Sequence, residues 1–404
     1  MTSTLFNAAD HRFMAEAIRL AWRGLYTTHP NPRVGCVLVN NGQIVGRGWH
    51  QTAGQGHAEV NAIADAAARG FDIKGATAYV SLEPCSHQGK TPPCANALID
   101  AGVGKVISAM QDPNPLVSGR GHHMLQAGGI ETACGLLQSQ AEQINPGFNK
   151  RMRLGRPRVM VKSAMSMDGR TAMASGESQW ITSAASRADV QRLRARVQAI
   201  VTGVETVIAD NPAMTVRPQS WPQALDGDSQ WSGWCWPQGV NPVQPLRVVL
   251  DSTLRTPVDA AILRQPGATL ILCRELDAGK AIALEMAGAE VMQMPGQDKK
   301  QGIHLDAVLE LLAQRQVNDV LVEAGSQLAG NFIDQGLTDE WICYVAPMLM
   351  GSSARPVLAL PAIDTMAQAR DLSSNLQLKA SRSVGQDIRM TYLAVPTAST
   401  QETQ

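Results

Sequence analysis

Hydrophobic positions recur with helical spacing at Phe13, Ala17, Leu20, Ala21 and Gly24 behind Asp10. This predicts an amphipathic helix with Asp10 as its cap. THPNPRVG (28–35) breaks the pattern, and CVLVNNGQIVGRGWH (36–50) reads as a β-hairpin turning at Asn41-Gly42. A helix from about His57 to Arg69 follows, then a strand in ATAYVSLE (76–83), a helix from about Pro93 to Ala101 and a strand in KVISAM (105–110). Residues 121–128 and 141–152 carry helical spacing again. Such alternation calls for a sheet covered by helices on both faces.

A second block opens at LGRPRVMVKSAMS (154–166), after the basic run Lys150-Arg151-Met152-Arg153. AASRADVQRLRARV (184–197) has the spacing of a helix, whereas AIVTGVETVIA (199–209), LRVVLDS (246–252), TLILC (269–273) and DVLVEAG (319–325) read as buried strands. The expected division is 1–153, 154–396 and a tail at 397–404 without periodicity. Residues 217–245 interrupt the second block with four tryptophans and five prolines, either a functional lid or a surface insertion.

A length of 404 residues suits two domains, or three at most. The 44% hydrophobic share supports real cores, and the 4% aromatic share means that Ala, Val, Leu, Ile and Met must build them. Lys+Arg and Asp+Glu both number 35, and residues 1–150 hold 11 against 10. That balance argues against a nucleic-acid partner. No run approaches the length of a membrane span, and the N-terminal stretch lacks the apolar region of a signal peptide. Seven cysteines, an odd number in a long chain, favour a reducing, cytoplasmic compartment.

The strongest chemical signal is His57-Ala58-Glu59, followed by Pro84-Cys85 and by Cys94 nine residues on. One imidazole and two thiolates make three ligands for Zn²⁺, and three ligands leave a fourth position for water. Glu59 lies close enough to exchange protons there. Zinc nucleobase deaminases divide the work in this way, with H-x-E and P-C-x-x-C motifs. A closed structural zinc is the alternative. Cys36, Cys134, Cys235, Cys273 and Cys343 lack such context and read as structural, and His11, His29, His122, His123 and His304 as solvated.

Eight residues separate the two cysteines where the general motif has two, and PCSHQGKTPPC (84–94) resembles the long metal loop of the riboflavin-biosynthesis deaminases. HPNPRVGCVLV (29–39), GWHQTAGQGHAEVNAI (48–63), VSLEPCSHQGKTPPC (80–94) and DPNP (112–115) are similar to that family's motifs, in the same order. The resemblance implies a cytidine-deaminase-like α/β/α domain acting on a pyrimidine ribotide. It assigns Glu59 to catalysis, His57, Cys85 and Cys94 to zinc, and Asn31, His50, His87, Lys90, Asp112 and Asn114 to substrate.

In the second block AGSQLAGN (324–331) joins the strand NDVLVE to the helical run FIDQG. A glycine turn there exposes N–H groups suited to phosphate, although many α/β proteins use one only to turn the chain. VKSAMSMDGR (161–170), SGESQWIT (175–182), TGVETVIADNPAMTVR (202–217), LDS (250–252) and VEAGSQLAGN (322–331) resemble the riboflavin-biosynthesis reductase domain. That resemblance implies a dihydrofolate-reductase-like α/β fold that uses NADPH, a choice over NADH that the residues themselves leave open. It assigns Ala164, Trp180, Thr206, Asp210, Ser252, Gly325, Ser326, Gln327, Leu328, Ala329, Gly330 and Asn331 to the cofactor. Ser178, Arg194, Met214, Arg217 and Glu323 fall at substrate positions, and Lys162 would polarise or protonate the sugar oxygen.

The order deaminase then reductase matches the bifunctional bacterial enzyme over about residues 8–395. The implied function is hydrolytic deamination of 2,5-diamino-6-(5-phosphoribosylamino)pyrimidin-4-one, then reduction of its ribosyl group to ribityl. A homo-oligomer stays open. Two rivals stand beside this reading: a zinc deaminase for tRNA, disfavoured by charge, and a regulatory protein with a structural zinc, disfavoured by Glu59 and the open ligand position.

Overall fold

In a computed structural model the chain is described over residues 6–87, 92–115, 117–217, 242–294, 302–373 and 376–394. It divides into two compact units, Met1–Arg156 and Pro157–Gln404.

The first unit runs α1 (Ala8–Ala21), β1 (Gly35–Asn40), β2 (Gln43–Trp49), α2 (Ala58–Ala68), β3 (Thr77–Val80), α3 (Cys94–Asp100), β4 (Lys105–Ser108), α4 (Arg120–Ala127), β5 (Glu131–Cys134), α5 (Gln138–Glu142) and α6 (Pro146–Leu154). The cap of α1 is Asn7, not Asp10. Asn7 Oδ1 accepts from the N–H groups of Ala9 and Asp10, and Asp10 closes a capping box from the third helical position. The helix expected over 141–152 is two helices, because Asn145 precedes Pro146 and leaves helical geometry. Asn145 instead clamps both backbone polar groups of Arg33 at 2.8 Å.

The sheet order is β2-β1-β3-β4-β5, with β1 antiparallel to β2 and β3, and the rest parallel. Asn41 and Gly42 both take positive φ, the geometry of a two-residue hairpin turn. Strand alternation sends Val37, Val39, Tyr79 and Ile107 to a core under α1. Cys36, Leu38, Ala78 and Val106 go to a second core, with Ala58, Ala62 and Ala66 of α2 and Leu98 of α3. Both faces are covered, as the alternation required.

The second unit runs β6 (Arg158–Ser166), β7 (Arg170–Ala172), α7 (Ala184–Ala195), β8 (Ala199–Gly203), α8 (Val204–Asp210), β9 (Leu246–Leu250), α9 (Ala261–Arg264), β10 (Thr269–Cys273), α10 (Ala278–Met286) and β11 (Ala289–Gln293). It continues with α11 (Leu305–Gln314), β12 (Asp319–Glu323), α12 (Ser326–Asp334), β13 (Glu340–Ala346), β14 (Arg355–Pro356), α13 (Met366–Ser373), β15 (Leu376–Val384) and β16 (Asp387–Ala394). The run 199–209, expected as one strand, is β8 followed by α8. Nine strands order as β11-β10-β9-β8-β12-β6-β13-β16-β15, parallel as far as β13 and antiparallel beyond it. Here β12 returns to lie between β8 and β6. In open parallel sheets such a reversal opens a crevice at the carboxyl ends of the strands. Most of the Trp-rich interval (218–241) and the tail expected at 397–404 lie outside the described residues.

Candidate active sites

His57 is the N-cap of α2, Cys94 opens α3, and Cys85 lies between β3 and α3. Their donor atoms all fall within 4.8 Å of one another. His57 Nδ1 is 3.6 Å from Cys85 Sγ and 3.2 Å from Cys94 Sγ, and the Cys94 N–H donates to Cys85 Sγ at 3.3 Å. A tetrahedral Zn²⁺ with ordinary bond lengths would set its N and S ligands about 3.5–3.8 Å apart, so the donor set fits zinc in chemistry and size. A hydrogen bond from the Cys94 thiol, reinforced by His57, pulls Cys85 down to about 4, which favours its thiolate form. The same hydrogen bond, with burial next, raises the pKa of Cys94.

Glu59, in the first turn of α2, is 3% exposed, and its Oε2 has no hydrogen-bond partner among the described residues. Burial, and next the charge of Cys85, push this carboxyl up to about 7. A buried acid near neutrality beside three metal ligands is equipped to take and return protons.

Around this centre His50 is buried, which lowers its pKa and favours the neutral ring, and it lies edge-on to His57 with ring centroids 5.1 Å apart. Asn31 Nδ2 meets His50 Nε2 at 3.2 Å, and His50 Nδ1 faces the Gly56 carbonyl at 3.2 Å. Asp112 is partly buried, and burial raises its pKa while nearby His87 opposes the rise. Its Oδ1 accepts from the Asn114 N–H at 2.8 Å. His87 is exposed, and Lys90 lies outside the described residues. Sequence reasoning passed over two neighbours. His122, expected in solvent, is half-buried, with Nε2 2.9 Å from Ser108 Oγ. Glu83 is a buried acid between an apolar strand and a metal cysteine; an acid in such a setting must find donors, and that was the available signal. Of the bystander cysteines, Cys36, Cys273 and Cys343 are buried and Cys134 is exposed; Cys235 lies outside the described residues.

In the second unit the crevice gathers several of the expected residues. Lys162 of β6 pairs in register with Glu323 at the end of β12. Arg194 of α7 grips Glu323 with two bonds, Nε–Oε1 at 2.6 Å and Nη2–Oε2 at 2.9 Å, and its Nη1 donates to the Thr215 carbonyl at 3.2 Å. The guanidinium expected at the substrate is therefore taken by a carboxylate. Burial raises the Glu323 pKa, but Arg194 and Lys162 outweigh it and the net direction is down; burial lowers that of Lys162. Ser178 Oγ donates to Asp210 at 2.9 Å, and the Gly325 N–H to Thr206 Oγ1 at 3.2 Å.

Ala164 lies on β6 opposite Tyr344, and Ser252 follows β9 with its carbonyl accepting from the N–H groups of Arg274 and Glu275. Trp180 is 67% exposed, with the Arg187 guanidinium 4.4 Å over its ring. The Met214 side chain is buried in the core and Arg217 is exposed. Residues 326–331, expected as a loop ahead of a helix, are the first turns of α12. Gly330 packs under Ala359, where a Cβ would overlap the carbonyl oxygen. By contrast, a Cβ at Gly203 or Gly325 would meet almost nothing. Open backbone there, at the head of α12, fits the phosphates of a nicotinamide dinucleotide. No helix among the described residues is long and apolar enough to cross a membrane.

Residues 7–110 match the cytidine and deoxycytidylate deaminase zinc-binding region, and residues 157–390 match the RibD C-terminal domain. The chain is 48% identical over 381 residues to the riboflavin biosynthesis protein RibD of Escherichia coli, covering 94% of this chain and 98% of that one. It is 40% identical over 386 residues to the RibD of Bacillus amyloliquefaciens, covering 95% and 96%. Among solved structures, a form of Acinetobacter baumannii RibD superposes with a TM-score of 0.82 at 41% identity, over 96% of this chain and 99% of that one. The Thermotoga maritima diaminohydroxyphosphoribosylaminopyrimidine deaminase/5-amino-6-(5-phosphoribosylamino)uracil reductase superposes at 0.76 and 27% identity, over the same shares.

Proposed function

The chain belongs to the RibD family of bifunctional riboflavin-biosynthesis deaminase/reductases, and on that premise we propose how its residues divide the two reactions. Residues 1–153 hydrolyse the exocyclic amine of 2,5-diamino-6-(5-phosphoribosylamino)pyrimidin-4-one. Residues 154–396 reduce the ribosyl group of the product to ribityl with NADPH. A pyrimidine ribotide is the small-molecule substrate of both, and a reducing, cytoplasmic setting suits the exposed free thiol of Cys134.

The observation that carries the first half is the buried Glu59 with its open Oε2 beside His57, Cys85 and Cys94. Those three residues hold Zn²⁺, which when bound lowers the pKa of water to near neutrality. Glu59 takes a proton at Oε2 and delivers it to the departing amine, so that a ring C–O bond replaces a C–N bond and ammonia leaves. Asn31 orients the pyrimidine by hydrogen bonds, and His50, held by Asn31 and the Gly56 carbonyl, keeps it in place and lines the substrate site. Asp112 and Asn114 hold the substrate from the opposite loop, with His87 and Lys90 completing the contacts.

In the second half NADPH supplies the hydride. The open backbone at Gly325 and the head of α12, with Ala164, Trp180, Thr206, Asp210 and Ser252, binds the cofactor. Lys162, held beside Glu323, donates a proton to the sugar oxygen as the ring opens. Glu323 keeps that ammonium in place and Arg194 keeps Glu323 ionised. Ser178, the Met214 backbone and the exposed Arg217 meet the ribose phosphate.

Incubating the protein with the diamino ribotide should release ammonia first and then oxidise NADPH. Glu59→Gln should abolish ammonia release while retaining zinc. Absence of ammonia from the zinc-loaded parent would sink the first assignment, and NADPH oxidation indifferent to the deaminated intermediate would sink the second.

A further inference from the structure

Glu83 immediately precedes Pro84 and the metal ligand Cys85, and it is 4% exposed. Its carboxylate accepts four backbone N–H groups. Oε2 takes those of Asp112 at 3.1 Å and Gly119 at 2.9 Å; Oε1 takes those of Gly121 at 2.8 Å and His122 at 3.3 Å. The Glu83 N–H in turn donates to the Met110 carbonyl at 3.0 Å. The segment bearing Asp112 and Asn114 is thus fastened at both flanks to one side chain on the metal-ligand segment. At Gly121 a Cβ would overlap the Pro84 carbonyl oxygen, so the start of α4 sits directly on that segment. Helix N-termini and backbone N–H groups favour a carboxylate.

We propose that Glu83 is a positioning residue of the deaminase: it sets Asp112 relative to the metal centre by clipping the Asp112–Gly119 segment to the Glu83–Cys85 segment. This rests on the reading of Asp112 as a substrate contact. The requirement is specific. A glutamine of the same shape keeps one acceptor oxygen but turns an N–H₂ toward two backbone N–H groups, so one side of the clip opens whichever way the amide sits. Asp112 Oδ1 already accepts from Asn114, so its side chain turns with the backbone that Glu83 holds.

The test is a double-mutant cycle of Glu83→Gln and Asp112→Ala in the full chain, scored by ammonia release, zinc content and NADPH-dependent reduction of the deaminated intermediate. Glu83→Gln should lower kcat/KM for deamination about 10–100-fold, the usual cost of losing a residue that orients a site. The loss should appear mainly in KM, with one zinc retained and reduction unchanged. In the Asp112→Ala background the same substitution should have little further effect. An undiminished loss in that background, a loss of zinc in step with activity, or parental activity of Glu83→Gln overturns the proposal. An Asp112→Ala protein as active as the parent overturns the reading of Asp112 itself, which separates the two failures. Glu83→Asp keeps the charge and shortens the reach, and it carries the same cycle if the glutamine variant does not fold.

Discussion

Arg194 shows how far a residue's chemistry can be read before its neighbours are known. A guanidinium fork suits phosphate and carboxylate alike, and the motif match put both Arg194 and Glu323 on the substrate. The fold instead gives the fork to Glu323, with side chains only 11% and 9% exposed. Removing one member of such a pair leaves buried charge uncompensated. Arg194→Ala should therefore destabilise the second unit by about 3–5 kcal/mol, seen as a lowered melting transition. Arg217 is exposed and, on the proposed reading, meets the ribose phosphate, so Arg217→Ala should raise the reductase KM several-fold and shift the melting transition far less than Arg194→Ala does. A parental melting curve for Arg194→Ala, or an unchanged KM for Arg217→Ala, would contradict that division of roles. Sequence could name both arginines as anion partners. Which anion each meets depends on α7 and β12 coming together, a contact 129 residues apart along the chain.

Elements were legible where the apolar pattern is clean, whether it marks one buried face or a strand buried on both. The hairpin at Asn41-Gly42, α2 and the parallel strands β9, β10 and β12 follow from apolar spacing and turn chemistry. The failures have physical causes. GVETVIA is apolar enough for strand or helix, and the parallel pairing of β8 with β9 stops at Gly203, so the chain turns into α8. β5 fully buries none of its side chains and β15 only that of Val384, so both carry little apolar pattern to read. The metal ligands were legible because a histidine and two cysteines among prolines have few other uses together; Glu83 was not, since its four donors come from a loop and helix beyond β4. Packing of α2 adds a further prediction. Gly46 and Gly48 of β2 lie against this helix, and a Cβ on Gly48 would overlap the Ala58 carbonyl oxygen. The helix that begins with His57 and carries Glu59 is therefore set on the sheet by the absence of side chains. Gly48→Ala should push it outward, cost about 1–3 kcal/mol as overpacking and weaken zinc retention during dialysis against a chelator. Parental stability and zinc content would show that α2 has more freedom than the close approach implies.

At the scale of the molecule, the level charge balance is matched by two units that each build a core on both faces of their own sheet. All three zinc ligands lie in the first unit, at the starts of α2 and α3 and in the segment between β3 and α3. The crevice with Lys162, Glu323 and Gly325 lies in the second. Binding that favours a folded state stabilises the unit that contains the site, by an amount that grows with the logarithm of free ligand over its dissociation constant. Removing zinc with a chelator should therefore abolish ammonia release and lower the melting transition of the first unit. Reduction of the deaminated intermediate, supplied directly, should keep its kcat and KM, and NADPH should raise only the transition that zinc leaves alone. Readdition of zinc should restore ammonia release without altering the reductase constants. Loss of reductase activity in step with zinc would refute this separation, since it would require the metal centre to support the second crevice. Retention of both activities in metal-free protein would refute the first unit's chemistry itself, leaving the cysteines and His57 without the role their geometry supports.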